Sequence, residues 1–365
     1  MTQHRRFRAT IVGCGVIAES GHIPALRAAA DRVEIVAAVD SDPERLADFQ
    51  RQYEIPAGYT SVAAMLAVGK PDLVLVCTPP ATHADITVRC LEAGAWVLVE
   101  KPPCLSLAEF ERIEAAEREG GPYASVVFQH RFGSGGRNAV DLISSGALGR
   151  PLVAACHTTW YRDQAYFDVP WRGRWETEGG GPTMGHGIHQ MDLLLAMLGE
   201  WDEVRAMAGR LARSMDTEDV SMAMVRFTNG AMASIVNSVL SPREESYIRV
   251  DLTDATVELT HLYGYKNADW QYTPAVHVRD SERVASWTDI PDNVSSSHTA
   301  QLPYVLDAMA KGERPPLSGR QGRETLELIA AMYRSAFTGL PVRRGEIGPD
   351  DPYYHRMDGG SQPWP

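Results

Sequence analysis

The sequence lacks the features that mark several classes of protein. No apolar run approaches the roughly 18 residues of a membrane-spanning helix, so we expect no membrane span. No run of Lys or Arg occurs and the net charge is −12, so we expect no nucleic-acid partner. The five cysteines contain no CxxC pair, and their odd count is typical of reduced thiols in a cytosol.

The first residues also lack the parts of an export signal. Arg5 and Arg6 resemble a twin-arginine signal, but the apolar run after them, residues 9–12, ends at once in glycines. Such a signal needs a longer apolar segment and a cleavage site of small residues. We therefore expect a cytoplasmic protein.

Short apolar runs alternate with helical patterns in the first third of the chain. The predicted strands are residues 7–12, 33–39, 73–77, 95–99 and 123–128. Each is nearly continuously apolar, as expected when both faces of a parallel sheet are covered. The alternation predicts an α/β fold with a doubly wound parallel sheet, which is a Rossmann domain, over residues 1–128.

The pattern changes after residue 128, where strands follow one another with short connections. Predicted strands there are 152–161, 203–211, 220–227, 231–239, 247–252 and 256–262. Short connections, including the hairpin signal Asn229-Gly230, predict mostly antiparallel pairing. We place a second domain over residues 129–343 and an extended carboxy-terminal tail over 344–365.

A glycine-rich turn follows the first predicted strand. Residues 13–18 fit GxGxxA and stand between that strand and a βαβ unit. Gly15 lets the backbone approach a pyrophosphate at a helix N-terminus, and Asp40, at the end of the second strand, can accept hydrogen bonds from ribose hydroxyls. No Arg follows Asp40 immediately, so the motif predicts NAD rather than NADP. The cofactor-binding residues predicted here are Gly13, Gly15, Val16, Ile17 and Asp40.

Two further motifs stand at the carboxyl ends of later strands, where α/β sheets bind their ligands. Thr78-Pro79, with His83, follows the third of these strands, and Glu100-Lys101-Pro102 follows the fourth. A lysine at such a strand end places an ammonium group beside the expected nicotinamide. We add to the cofactor-binding set Thr78, Pro79, His83, Glu100 and Lys101.

These motifs, together with the triple glycine at 179–181, His189 and Asp192, resemble the family that includes glucose–fructose oxidoreductase, inositol dehydrogenase and rhizopine-catabolism oxidoreductases. The resemblance spans about residues 8–343. It implies a second domain with a large open sheet, through which copies of the chain pair as homodimers or homotetramers. It also implies hydride transfer between a nicotinamide and a secondary alcohol or carbonyl of a sugar or cyclitol, with Lys101 and His189 as catalytic positions.

The chemistry of these two side chains agrees with that implication. A secondary alcohol loses a proton as hydride leaves, and a histidine that titrates near neutrality suits the base. Lys101 can stabilise the developing alkoxide. A structural role for His189 is the alternative. His186 and His189 have the spacing of a metal pair, but no third ligand is suggested, so we expect no metal.

The loop at residues 160–175 combines aromatic and charged side chains. Aromatic faces pack on sugar rings, and arginines bind carboxylate or phosphate, so we expect a neutral or anionic substrate. Core packing, a subunit contact, or pairing of the arginines with Asp163, Asp168 or Glu176 are the alternatives. The predicted substrate contacts are Tyr161, Arg162, Trp171, Arg172 and His186.

One position departs from the family's pattern. Many members carry an Asp four residues before the catalytic histidine, and this chain has Gly185 there. Glycine cannot orient His189, so we expect that His189 works with Lys101 alone, or that His186 or a loop residue such as Tyr161 takes over the contact. The alternatives are that the substrate occupies the vacated volume or that catalysis has been lost. Two other functions stay open: a glycosidase or epimerase that oxidises its substrate transiently, and an NAD-binding sensor without turnover.

Overall fold

The computed structural model describes residues 5–361 and Trp364, and it divides into two compact units. Among the described residues, the first unit comprises 5–104, 109–127 and 298–323, and the second comprises 105–108, 128–297, 324–361 and Trp364. The units are interleaved along the chain, whereas the domains that the sequence predicts are consecutive. No helix within the described residues is long and apolar enough to cross a bilayer.

The first unit contains a parallel sheet. Its strands are β1 (Phe7–Val12), β2 (Val33–Val39), β3 (Ala57–Tyr59), β4 (Leu73–Val76), β5 (Trp96–Val99) and β6 (Ala124–Val126). They lie in the order β3-β2-β1-β4-β5-β6. Every residue of β4 is buried, as expected for a central strand covered on both faces. The predicted Rossmann sheet is confirmed, and the sequence misses β3 because Ala-Gly-Tyr contains no apolar run.

Helices connect these strands and begin where the sequence offers a cap. They are α1 (Ile23–Ala28), α2 (Pro43–Tyr53), α3 (Val62–Val68), α4 (His83–Glu92) and α5 (Leu107–Ala116). At the start of α2 the Asp42 side chain accepts hydrogen bonds from the N–H groups of Glu44 and Arg45, and Pro43 occupies the first turn. The turn at the end of β2 is fixed in this way.

The second unit contains a larger sheet. Its strands are β7 (Pro151–Tyr161), β8 (Trp201–Gly209), β9 (Val220–Phe227), β10 (Met232–Ser238), β11 (Leu240–Leu252), β12 (Ala255–Thr260), β13 (Trp270–Pro274) and β14 (Val342–Arg343). Their order is β13-β12-β11-β7-β10-β9-β8-β14. All neighbours are antiparallel except β7 and β10, which pair in parallel. The predicted mostly antiparallel sheet is confirmed.

The remaining helices are α6 (Ser134–Ser144), α7 (Gln164–Phe167), α8 (Ile188–Leu198), α9 (Ser281–Ser286), α10 (His298–Lys311), α11 (Arg320–Thr338) and α12 (Pro352–His355). Helix α10 contributes Leu302, Val305 and Leu306 to the core of the first unit. The segment after residue 344, which the sequence predicts to be extended, holds α12, and its Tyr353 and Tyr354 are buried.

The two faces of the second sheet differ. Helix α8 is apolar and almost wholly buried, and it packs on β7 and β11. The residues of β9 alternate between buried and exposed, so the opposite face of the sheet is open. That open face carries the exposed methionines Met207, Met222, Met224 and Met232.

Candidate active site

The glycine turn after β1 has the geometry of a dinucleotide-binding loop. Gly13 has a φ of +94°, and an added Cβ would lie 2.8 Å from the carbonyl of Cys77, so only glycine fits there. At Gly15 an added Cβ would meet no atom within 4 Å. Val16 is exposed, and a π-helical turn, Ala18–His22, follows. The backbone at Gly15 is thus open to a phosphate at the start of a helix.

Asp40 is fixed beside this turn. Its Oδ2 accepts a hydrogen bond from the Cys14 N–H at 2.9 Å, and its Oδ1 accepts one from the Asp42 N–H at 2.9 Å. Arg45 Nη1 lies 3.7 Å from Asp40 Oδ2. No Arg follows Asp40 immediately in the sequence, but the first turn of α2 brings Arg45 close to the Asp40 carboxylate. A fixed carboxylate and a cation therefore lie side by side next to the glycine turn.

His83 joins the loops after β4 and β5. Its Nδ1 lies 2.7 Å from the carbonyl oxygen of Pro102, and its Nε2 lies 2.6 Å from that of Thr78. Burial lowers the pKa of His83. Both ring nitrogens contact backbone carbonyl groups, so His83 holds the two strand ends together, while Thr78 is half-buried and Pro79 is exposed.

Glu100 lies inside the first unit rather than at its surface. Its Oε1 accepts hydrogen bonds from His22 Nε2 at 2.9 Å and from His298 Nε2 at 2.7 Å, and its Oε2 accepts one from the Lys101 N–H at 3.2 Å. Burial opposes its ionisation, but His298 and His22 together hold the pKa of this carboxyl well below its usual range. Glu100 thereby fixes the backbone from which Lys101 projects.

The same three side chains are the one group among the described residues whose ligand atoms, all within 4.8 Å of one another, could hold a metal ion. Hydrogen bonds to Glu100 already occupy the Nε2 atoms of His22 and His298. No sequence pattern places His298 in this cluster, because the residue lies far along the chain on α10.

In the second unit, Glu218 holds the start of the helical segment that leads to α8. Its carboxylate accepts hydrogen bonds from the N–H groups of Gly181 at 3.0 Å and Thr183 at 3.1 Å, and from the Tyr333 hydroxyl at 2.9 Å. Burial raises the pKa of Glu218. An added Cβ at Gly181 would overlap the Glu218 carbonyl oxygen, which explains a glycine there.

His189 is the second residue of α8 and is buried. Its ring lies 4.8 Å from that of His130, tilted by 31°, and 6.0 Å from that of Tyr263. Three residues further on, Asp192 accepts two hydrogen bonds from Arg131, at 2.6 and 2.7 Å. Burial raises the pKa of Asp192, and Arg131 opposes that rise. His130 and Arg131 were not predicted; the clue is their position directly after the last Rossmann strand.

The aromatic loop brings Arg172, Trp171 and His186 together through Tyr166. The Arg172 guanidinium lies 3.9 Å from the ring centre of Tyr166 and 4.4 Å from that of Trp171. The Tyr166 hydroxyl accepts a hydrogen bond from Arg172 and lies 3.5 Å from His186 Nε2. Burial lowers the pKa of Arg172. The loop thus builds a cationic, aromatic wall.

The arginines of this loop do not have the partners that the sequence offered as alternatives. Arg162 pairs with Glu244 at 2.8 Å, and Arg172 faces Glu178 at 3.9 Å. Tyr161 donates its N–H to the same Glu244, and its side chain is exposed at the end of β7. Both glutamates lie outside the set of Asp163, Asp168 and Glu176.

The cysteines offer no nucleophile. All five are buried, and burial raises the pKa of Cys14 and that of Cys90 to about 12. The thiols of Cys14 and Cys90 therefore stay protonated at neutral pH.

Comparisons with known proteins agree with the geometry. A family model described as "Oxidoreductase family, NAD-binding Rossmann fold" matches residues 7–128, and the "GFO/IDH/MocA C-terminal domain" matches 137–258. A putative UDP-kanosamine synthase oxidoreductase subunit of Amycolatopsis mediterranei is 30% identical over 93% of this chain and 98% of its own length. D-apiose dehydrogenase of Paraburkholderia graminis is 26% identical over 96% of this chain and 93% of its own.

Among solved structures, the chain is similar to the WlbA dehydrogenase from Bordetella pertussis in complex with NADH and UDP-GlcNAcA. The TM-score is 0.82 and the identity 28%, over 93% of this chain and 99% of that one. The resemblance inferred from the motifs and the prediction of NAD as cofactor are confirmed.

Proposed function

The chain belongs to the GFO/IDH/MocA family of NAD-binding oxidoreductases, and we propose that it transfers a hydride between NAD and a secondary alcohol or carbonyl of a sugar, cyclitol or related polyol. The observation that carries the proposal is the pairing of Asp40, hydrogen-bonded to the Cys14 N–H, with the open backbone at Gly15. This is a ribose contact beside a pyrophosphate contact. The substrate class rests on relatives such as D-apiose dehydrogenase.

The proposed chemistry divides between two side chains. Gly13, Gly15 and Asp40 would hold NAD, which would supply the acceptor for a hydride from the substrate's carbinol carbon. His189 takes the hydroxyl proton as a general base, and the Lys101 ammonium stabilises the negative charge that develops on the substrate oxygen. Glu100 supports Lys101 by holding its N–H.

The proposed substrate wall is the aromatic loop with the turn before α8. Arg172 presents a cation held between two aromatic rings, and Trp171 offers a face to a sugar ring. Such a wall favours neutral or anionic substrates. The WlbA structure, which holds the anionic sugar nucleotide UDP-GlcNAcA, supports this class. The wall consists of Tyr161, Arg162, Trp171, Arg172 and His186.

We further propose that the chain forms a homodimer or homotetramer through the open face of the second sheet. Met207 is 78% exposed and Met224 62% exposed. Met207 and Met222 are directly opposite each other on β8 and β9. Contiguous apolar side chains on an exposed sheet face are typical of an interface.

The buried thiols suit a cytoplasmic location.

A dehydrogenase screen tests the function. The purified protein is incubated with NAD and a panel of cyclitols, aldoses, sugar acids and nucleotide sugars, and NADH is followed by its absorbance. Substrate-dependent NADH formation supports the proposal. Product without net NADH indicates transient oxidation, as in a glycosidase or epimerase. NAD binding without turnover on any compound indicates a sensor and overturns the proposal.

A further inference from the structure

An arginine outside the predicted substrate set lies against the proposed substrate wall. Arg213, in the loop between β8 and β9, donates its Nε–H to the carbonyl oxygen of Arg162 at 2.7 Å. Its guanidinium carbon lies over the Tyr161 ring, 5.2 Å from the ring centre. Arg162 and Tyr161 are both members of the wall, so the Arg213 guanidinium forms its edge at the end of β7.

The loop that carries Arg213 is held without help from the charge of this side chain. The buried carboxylate of Asp219 accepts hydrogen bonds from three successive N–H groups, those of residues 211–213, at 2.7–2.9 Å. Next along the chain, Ser214 and Gln164 exchange two hydrogen bonds, at 3.0 and 3.1 Å. These bonds fix the backbone, so the positive charge of Arg213 is not needed to hold the loop.

The charge of Arg213 is not balanced as the charges of the neighbouring arginines are. Arg162 pairs with Glu244 at 2.8 Å, and Arg172 faces Glu178 at 3.9 Å. Within the described part of the chain, no carboxylate forms an ion pair with Arg213, although the whole chain has a net charge of −12. Since its Nε is bonded to Arg162, the two Nη groups of Arg213 are the donors that a ligand can use. Their spacing matches two oxygens of a carboxylate or phosphate.

The Tyr161 ring restricts the Arg213 guanidinium and leaves it accessible. The planar group is limited on one side by the aromatic face and on another by its Nε hydrogen bond. Arg213 is half-buried and Tyr161 is 42% exposed, so a ligand can reach the pair from solvent. Because the side chain is already ordered, an anion that binds there loses little free energy in ordering it.

We propose that Arg213 binds an oxyanion of the substrate, a carboxylate or a phosphate group, at the edge of the substrate wall. The inference rests on the proposed function, because it takes the wall as the place where the substrate binds. It narrows the substrate class to sugars or polyols that carry an acid group or a phosphate ester. Arg213 determines specificity in this scheme and takes no part in moving the hydride or the proton.

The test compares matched substrates that differ in one charged group. For a parent sugar that turns over, its uronic acid tests a carboxylate and its phosphate ester tests a phosphate. Arg213→Met keeps the length of the side chain and its contact with Tyr161 but removes the charge. We expect kcat/KM for the charged substrate to fall roughly 10- to 100-fold, mainly through KM, because a charged hydrogen-bonding partner is lost. The neutral sugar offers no oxyanion to the fork, so its kcat/KM changes less than about twofold.

Two further variants make this comparison sharper. Arg213→Lys keeps a positive charge and recovers part of the loss for the charged substrate. Arg243→Ala is the matched control, because Arg243 is an exposed arginine of the same unit that pairs with Glu245. It leaves the ratio between charged and neutral substrates unchanged. Melting temperature and NAD affinity, measured on each variant, show that it is folded. If Arg213→Met lowers kcat/KM equally for charged and neutral substrates, Arg213 only holds the wall in place and the inference is wrong.

A binding measurement that needs no turnover separates this inference from the proposed function. Inorganic phosphate and glucuronate are titrated calorimetrically into the protein saturated with NAD, so that the phosphate contacts of the cofactor are already filled. We expect Arg213→Met to raise the dissociation constant of the anion that binds roughly tenfold. If no sugar turns over, the proposed function fails, yet anion binding that depends on Arg213 still supports the inference. Equal affinities in the wild type and Arg213→Met overturn it, as does the absence of anion binding when no charged sugar turns over.

Discussion

The region around the glycine turn of the first unit and the region around α8 of the second are built in different ways. Around the glycine turn, backbone groups hold the important side chain: Asp40 is fixed by the N–H groups of Cys14 and Asp42. Around α8, the important groups are held instead by side chains that are distant in the sequence. Glu218 holds the N–H groups of Gly181 and Thr183, and Arg131 holds Asp192. A local motif is sufficient for the first region but not for the second.

Replacing His189 gives the largest expected effect on turnover and tests the region around α8 directly. His189→Ala removes a general base, which typically contributes roughly 10²- to 10⁴-fold, so turnover falls by that range. NAD affinity stays nearly unchanged, because the dinucleotide contacts lie in the first unit. Steady-state kinetics and NADH titration measure the two quantities.

The matched control is His277→Ala, because that histidine is exposed and bonds to Asp254 far from α8 in sequence. It leaves both quantities unchanged. Near-normal turnover in His189→Ala would show that this residue takes no part in the mechanism. Its ring contacts with His130 and Tyr263 would then have a purely structural role.

The sequence predicts the first unit well because its signals are local. β1 and β2 have the predicted bounds, since each is a largely apolar run followed by glycine or a polar residue. The GxGxxA turn and Asp40 stand where that sheet requires them. The sequence does not predict the hydrogen bond between His298 and Glu100, because His298 lies on a helix that the sequence assigns to the second domain.

The second unit is less accessible to such reasoning. The aromatic loop and His189 are visible in the sequence, but their partners Glu178, Glu218, Glu244 and His130 are not. Each pairing needs two segments to be brought together by the sheet, and no spacing rule encodes that. The start of the helix also differs from the prediction. The predicted helix begins at 186, whereas a π-helical turn occupies Thr183–Gly187, and Glu218 accepts the Thr183 N–H.

Asp40 provides the corresponding test at the cofactor end. Asp40→Ala raises the dissociation constant for NAD about 10- to 100-fold, because a charged acceptor of ribose hydroxyls is lost. NADP binding weakens less or improves, since the repulsion of a 2′-phosphate disappears while Arg45 stays in place. Fluorescence titrations with both dinucleotides measure the ratio.

Asp48→Ala is the control, because Asp48 lies on α2, as Arg45 does, but is exposed and paired with Arg51. It leaves both affinities unchanged. An equal loss for NAD and NADP in Asp40→Ala contradicts the ribose contact and shows that Asp40 only supports the glycine turn.

The open face of the second sheet predicts a change in assembly. Met222→Glu places a charge beside Met207 in the centre of the exposed methionines, so the oligomer dissociates to protomers at micromolar concentration. Light scattering coupled to size-exclusion chromatography measures the mass. Val68→Glu, an exposed site on α3 in the first unit, keeps the wild-type mass. If the wild type is itself a monomer, the proposed interface is wrong.

The smallest expected effect concerns the loop that recognises the substrate. Arg172→Ala raises KM roughly tenfold for a substrate with a carboxylate or phosphate, because one charged hydrogen-bonding partner is lost. The loss is smaller for a neutral sugar, and kcat changes little, since Arg172 touches Tyr166 and Trp171 rather than the proposed base. Arg174→Ala, an exposed arginine of the same loop, leaves KM unchanged. Equal KM values for Arg172→Ala and the wild type on every substrate would mean that Arg172 stabilises the loop around Glu178 and that recognition lies elsewhere.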